Sequence, residues 1–205
     1  MLKKENEAAK EKLQKIVEIM KGLGDMKGEA ATLQEMARLD MSRSDYEGAR
    51  QSLVSSMALL EAAGDRKGAA FALFNLASLD LEKGDFPQAG AEYAKALPIF
   101  EGMGDKAGIA AILHSLGMIH SQAGEKEEAI ESFQKALQIN HELADRPGEA
   151  GAFFQLGVLA VQQNKMQEGL QLMALAAVVL RSIKSDDLKN VEPLVERLAA
   201  QMSYS

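Results

Sequence analysis

The chain has 205 residues and a formal net charge of −7; with 47% apolar and 26% charged residues it can bury a sizeable core and is not composed like a disordered segment. It has no cysteine, which excludes disulfides, cysteine-held iron–sulfur clusters and thiol catalysis. Its acidity and the lack of a Lys/Arg cluster argue against nucleic-acid binding, and a composition rich in Ala, Leu, Glu, Lys, Gln and Met with four prolines points to an all-α fold.

The N-terminal stretch lacks the apolar core of a signal peptide, which agrees with a cytoplasmic location. Lys10, Lys12 and Lys15 alternate with Glu5, Glu7 and Glu11, the pattern of a solvated helix face. Ala9, Leu13 and Ile16 stand 40 residues before Ala49, Leu53 and Ser56, so residues 1–23 read as the second half of a repeat unit.

From there the sequence repeats every 40 residues, in units 24–63, 64–103, 104–143 and 144–183. Each opens with Gly24-Asp25, Gly64-Asp65, Gly104-Asp105 or Ala144-Asp145, followed by Gly28, Gly68, Gly108 or Gly148 and then Ala30, Ala70, Ala110 or Ala150. A second break falls at Ser44-Asp45, Gly84-Asp85, Gly124-Glu125 and Asn164-Lys165. The first helix of each unit spans roughly 28–42, 68–83, 108–123 and 148–163, and the second roughly 46–63, 86–103, 126–143 and 166–183. Asp at the first break suits a helix N-cap. Gly or Asn at the second suits the left-handed residue that ends a helix.

Small residues recur where helices approach closely, at Ala37, Ala77, Gly117 and Gly157 and at Ala49, Ala89, Ala129 and Gly169, with Leu53, Tyr93, Phe133 and Met173 between them. Gly117 and Gly157 in mid-helix imply that a neighbouring backbone needs the room. Residues 184–205 close the chain with an amphipathic helix from Asp186 to Met202, which caps the last unit through Leu188, Val191, Leu194, Val195, Leu198 and Met202. Pro193 either kinks this helix or marks a later start with Asn190 as cap. No stretch is apolar and long enough to span a bilayer; the best, 170–180, is too short.

The run Leu113…Leu116-Gly117…Ala129…Phe133…Ala136 resembles the tetratricopeptide repeat, and the likeness covers nearly the whole chain. It implies a right-handed superhelical solenoid of antiparallel helix pairs, about ten helices in all. The period is 40 rather than the usual 34, which implies a longer second helix, and the closing Pro of the family is absent. The 40-residue variant is similar to the repeats of spindle-orientation adaptors, kinesin light chains and bacterial peptide-sensing regulators. That resemblance implies a scaffold or adaptor whose first helices line a concave groove for a peptide or helix of a partner.

In the family, two positions of the first helix point into the groove. They correspond here to Gln34, Phe74, His114 and Phe154, and to Arg38, Ser78, Met118 and Val158. A neighbouring ladder is Glu35, Asn75, Ser115 and Gln155, in which Asn75 matches the peptide-binding Asn of the resembling adaptors. Phe74 and Phe154 read as aromatic anchors at positions that packing within a unit does not obviously need. The basic clamp for a C-terminal carboxylate would fall at Ala111 and Ser115, so the groove favours an apolar or amphipathic segment. His114 and His120 are six apart, on different helical faces, and no acid, base and nucleophile converge, which gives no metal, no cofactor and no enzyme. Asp40 and Asp80 occupy corresponding positions, so repetition accounts for them. A sensor domain for a short peptide or small ligand, and self-assembly through the terminal helices, are the competing functions.

Overall fold

The computed structural model describes residues 2–203, and among them lie ten helices and no strand. Successive helices are joined by turns of one design. One residue at each turn is left-handed, and these residues fall every 20 positions: Gly24 (φ 70°), Ser44 (58°), Gly64 (66°), Gly84 (78°), Gly104 (68°), Gly124 (80°), Ala144 (55°), Asn164 (62°) and Lys184 (54°). At most of the turns the next residue donates its N–H back to a carbonyl five positions earlier, as in Asp25 to Met20 (3.0 Å), Asp65 to Leu60 (2.8 Å) and Lys165 to Ala160 (2.9 Å), the bond that closes a helix end. Where that residue is Asp, its carboxylate also caps the next helix, accepting from the N–H of Gly28, Gly48, Gly68, Gln88, Gly108 or Gly148 at 2.9–3.3 Å. The sequence reading divided these devices between the two breaks of a unit; in the structure both breaks carry the left-handed residue, and Asp45 and Asp85 cap as Asp25 and Asp65 do. Glu125 and Lys165 make no side-chain cap.

The glycine three residues after the capping Asp leaves room for the preceding helix. A Cβ on Gly68 would come within 2.7 Å of Leu60 Cδ2, and one on Gly28 within 2.8 Å of Met20 Sδ. The repeated motif therefore records a close approach of one helix end to the next helix start.

The chain forms two compact units, up to Gly104 and from Asp105. The first holds α1 (Leu2–Leu23), α2 (Met26–Met41), α3 (Tyr46–Ala62), α4 (Arg66–Lys83) and α5 (Phe86–Met103), each packed on the next. Its core joins Ala37, Ala49, Leu53, Leu76 and Leu79 across α2, α3 and α4. Buried carboxylates tie these pairs together. Lys10 Nζ meets Asp40 Oδ1 at 2.6 Å, and Arg50 pairs with Asp80, with Asp40 and Asp80 at most 1% exposed. Each cation lies 30 residues before its acid, so the repeat carries the pair from one helix pair to the next. In the register of the second unit the same two places hold Ile130 and Ala160, an apolar replacement for an ion pair.

The second unit holds α6 (Lys106–Ala123), α7 (Lys126–Glu142), α8 (Arg146–Gln162), α9 (Met166–Ser182) and α10 (Leu188–Ser203). Phe133, Ala129, Leu156 and Leu159 form one cluster, and Ala150, Ala176, Ala177, Val179, Leu180 and Val191 another. The two helices of each pair match in length to within one residue, so the extra length of the repeat is not placed in the second helix alone. Antiparallel partners bury apolar surface only where they overlap. α10 starts at Leu188, with Asn190 inside it, because a turn from Ser185 to Asp187 already engages the first N–H groups; Pro193 lies within the helix.

Gly157 supports the expected close backbone approach: a Cβ there would lie 3.0 Å from Gly169 O and 2.8 Å from Met173 Cγ. At Gly117 the neighbour is a side chain, the buried Phe133 ring, whose Cε1 would lie 2.8 Å from the added carbon.

Two stability changes of opposite sign follow. Ala144→Gly should gain about 1 kcal/mol in chemical denaturation, because a Cβ is penalised in the left-handed region. Gly157→Ala should lose about 1–3 kcal/mol although alanine is the better helix former, because the crossing of α8 and α9 cannot widen without unpacking Met173.

Candidate functional site

The first helix of each pair carries the predicted site residues, and the helix it packs against decides what they do. In the first unit Gln34 donates through Nε2 to Ser56 Oγ (3.1 Å), which in turn donates to the Ala30 carbonyl (3.0 Å). Gln34 thus closes the seam between α2 and α3. Phe74 turns the same way: its ring meets Tyr93 edge-on at 5.6 Å and Phe100 at 6.0 Å. Ser78 donates to the Phe74 carbonyl at 3.0 Å, and its hydroxyl lies 2.8 Å from that of Tyr93. Packing within the pair does use Phe74, contrary to the sequence reading. Arg38 and Glu35 form an ion pair on the exposed side of α2, and Asn75 is half-buried on α4.

The exposed aromatic of α4 is Phe71, one turn before Phe74. It is 41% exposed and sits edge-on to Phe100 at 4.8 Å. The sequence signal for it was present: Ala31, Ala111 and Gly151 occupy its place in the other units.

In the second unit His114 packs edge-on against Phe133 at 5.2 Å, and burial pushes its imidazole below the ordinary histidine range. Ser115 donates to the Ala111 carbonyl (3.0 Å). Met118 joins the Phe133 cluster and Phe154 packs on the cluster of Ala176 and Leu180, each half-buried. Gln155 and Val158 are half-buried on α8. Between α6 and α8 a cavity of about 380 Å³ brings together His114, Ser115, Asn140 of α7, and Pro147, Gly148 and Gly151 at the start of α8. Of the predicted residues, His114 and Ser115 share this cavity; Met118 and Phe154 support the walls of the unit instead.

Another cavity of this unit was not foreseen. It measures about 550 Å³ between α7 and α9 and is walled by Leu137, Phe153, Leu175 and Val178. Leu175 and Val178 are 47% and 58% exposed where the other units place Ser55, Lys95 and Lys135, and Ala58, Pro98 and Gln138. At one end Glu149, 3% exposed, takes a hydrogen bond from Arg146 Nη1 at 2.6 Å and lies 2.7 Å from His141 Nδ1. Among the described residues no group of three or more His, Cys, Asp or Glu is placed to hold a metal ion, and no helix is long and apolar enough to cross a membrane.

The sequence pattern of the tetratricopeptide repeat matches residues 69–141 and, overlapping them, 108–177, together more than half of the chain. A search of curated proteins finds no significant match. Among solved structures the fold is similar to BtubC (BKLC) from P. vanneervenii, at 17% identity and a TM-score of 0.72 over 97% of this chain and 92% of that one. It is similar to the nearly identical repeats of a kinesin light chain of Podosopora anserina, at 17% identity and a TM-score of 0.71 over 89% and 90%. The apo form of RapI gives 15% identity and a TM-score of 0.74, with 92% of this chain covering 54% of that one.

A neutral buried His114 makes stability depend on pH in one direction. Unfolded, the imidazole takes up a proton near pH 6.5; folded, it does so only at lower pH. Its contribution is therefore full above that range and is lost as pH falls below it. Urea midpoints measured from pH 7.5 down to 5 should fall less steeply in His114→Leu than in the wild type.

Proposed function

The chain belongs to the tetratricopeptide repeat family and carries that family's protein-interaction scaffold; we propose that it binds an extended or helical segment of a partner protein along the first-helix face of each unit. The feature that carries this is the cavity between α6 and α8, which opens beside two of the predicted contact residues, His114 and Ser115. In the second unit α8 offers a half-buried amide at Gln155, and in the first unit α4 offers the half-buried amide of Asn75 and the exposed ring of Phe71. Amides suit the backbone of a bound segment and the ring suits an apolar side chain. The partner segment is therefore amphipathic or apolar, and the role is non-catalytic.

A Rap protein complexed with competence and sporulation factor also shares the fold, at 13% identity and a TM-score of 0.67 over 97% of this chain and 60% of that one. It keeps peptide sensing as the alternative use of the same face. Self-assembly by stacking α10 on another copy is disfavoured chemically. Where each first helix places Met36-Ala37, Leu76-Ala77, Leu116-Gly117 or Leu156-Gly157 against its partner, α10 has exposed Glu196-Arg197.

Phe74→Ala and Phe154→Ala are poor probes, since both rings pack inside their units. Asn75→Ala combined with Gln155→Ala is the better test. A partner segment recovered by display selection on the wild-type chain should bind this variant about tenfold more weakly in a titration, with the melting temperature unchanged. Unaltered affinity would remove the amides from the site.

A further inference from the structure

One side chain departs from the repeat in a way that packing does not reward. At the position whose carbonyl closes each second helix, the chain has Met20, Leu60, Phe100 and Leu180, and the last three are buried apolar groups. The third unit has Asn140 there instead. Asn140 is 5% exposed, and its amide makes no side-chain hydrogen bond with any described residue. Its Nδ2 rests against Gly148, where a Cβ would come within 2.5 Å of it. The same side chain lines the cavity between α6 and α8. A primary amide brings two donors and an acceptor, and here they face the cavity without a protein partner.

The rest of the cavity defines what would satisfy that amide. Ala110, Gly148 and Gly151 are small, so the helices bound a slot rather than a filled seam. A Cβ on Gly151 would meet only His114 Cε1, at 3.5 Å, so the slot is roomy on that side. His114 offers a ring edge at which another aromatic can pack. Asp145 also lines the cavity, and its carboxylate, which accepts from the Gly148 N–H at 3.2 Å, repels an anionic tip. A flat ring ending in a neutral hydrogen-bonding group fits both the walls and the floor.

We propose that this cavity is a specificity pocket for a tyrosine side chain of the bound segment, with the phenol hydroxyl meeting the Asn140 amide. The proposal rests on the reading of the first-helix face as the binding face. Tyrosine is favoured over glutamine, which has a comparable tip, because the ring fills the slot and loses less rotamer freedom on binding.

The test uses the full chain and three capped amino acids, N-acetyl-tyrosinamide, N-acetyl-phenylalaninamide and N-acetyl-glutaminamide. The side-chain amide signal of Asn140, identified by its disappearance in Asn140→Leu, reports binding by NMR. The tyrosine probe should move that signal saturably and bind about 3- to 10-fold more tightly than the phenylalanine probe, the worth of one hydrogen bond. Asn140→Leu should erase the difference and melt no lower than the wild type, since Leu60 and Leu180 serve the same place. Gly151→Leu, which fills the slot and leaves Asn140 intact, should abolish binding of all three probes. Equal binding of tyrosine and phenylalanine probes, preference for glutamine, or no saturable shift would overturn the pocket. So would an Asn140→Leu variant that loses stability and keeps the tyrosine preference, the result for a purely structural amide. A partner segment that binds wild type and Asn140→Leu equally would sink the pocket alone; failure to select any segment would sink the groove reading.

Discussion

Successive helices are joined by one kind of turn: a left-handed residue, in most cases a backbone bond reaching back five residues, and in most cases an aspartate that caps the helix beginning there. Because the turn recurs every 20 residues, it fixes helix length and rotational register together. The side chain whose carbonyl closes the turn is pressed onto the start of the next helix, and the glycine three residues after the cap exists to receive it. Nothing else in the fold is as uniform. The helix pairs tolerate an ion pair at Arg50 and Asp80 and an apolar pair at Ile130 and Ala160, provided the turns hold the helices in place.

That uniformity explains how far the sequence could be read. The period, the helix ends and the capping aspartates are local signals, each carried by one residue type with a fixed backbone reason. They gave about ten helices, and the structure has ten among its described residues. The direction of a side chain on a helix surface is a weaker signal. Residues 74 and 71 of α4 are one turn apart and so share a face; both rings meet α5, and which of them keeps an exposed edge depends on the position of Tyr93 and Phe100, not on the spacing within α4. The sequence reading therefore chose Phe74 as the exposed ring and passed over Phe71. The same reasoning error did not arise for Asn75, Ser115 and Gln155, whose polarity gives no reward for full burial, and all three are half-buried.

Asn140 was missed for a different reason. Read within α7 it is an ordinary helix amide, and only the set Met20, Leu60, Phe100 and Leu180 marks it as an exception. Leu175 and Val178 were illegible in the same way. They are common in helices and notable only against Ser55, Lys95 and Lys135 and against Ala58, Pro98 and Gln138 at the equivalent places, whereas Glu149 has a counterpart in Glu29. A repeat protein supplies several copies of one environment. A residue that breaks the chemistry of its column is worth more attention than one that fits a motif, because the other copies show what packing alone prefers.

The two units break that pattern differently. In the first, Phe71, Phe74, Tyr93 and Phe100 form one connected group with Phe71 at its exposed edge, and Lys10 and Arg50 pair with the buried Asp40 and Asp80. The second places Ala111 and Gly151 where the first has Phe71, and Asn140 where it has Phe100. An amide there forgoes the apolar burial that Leu60 and Leu180 gain at the same place, a cost in stability. Leucine at position 140 would remove that cost within the same turn, since Leu60 and Leu180 sit in identical geometry. A stability optimum was thus one substitution away and is not what the chain contains. On the proposed reading, a ligand that supplies a ring and a hydrogen bond recovers in the complex what the free chain gives up, which would account for both the small walls and the polar floor.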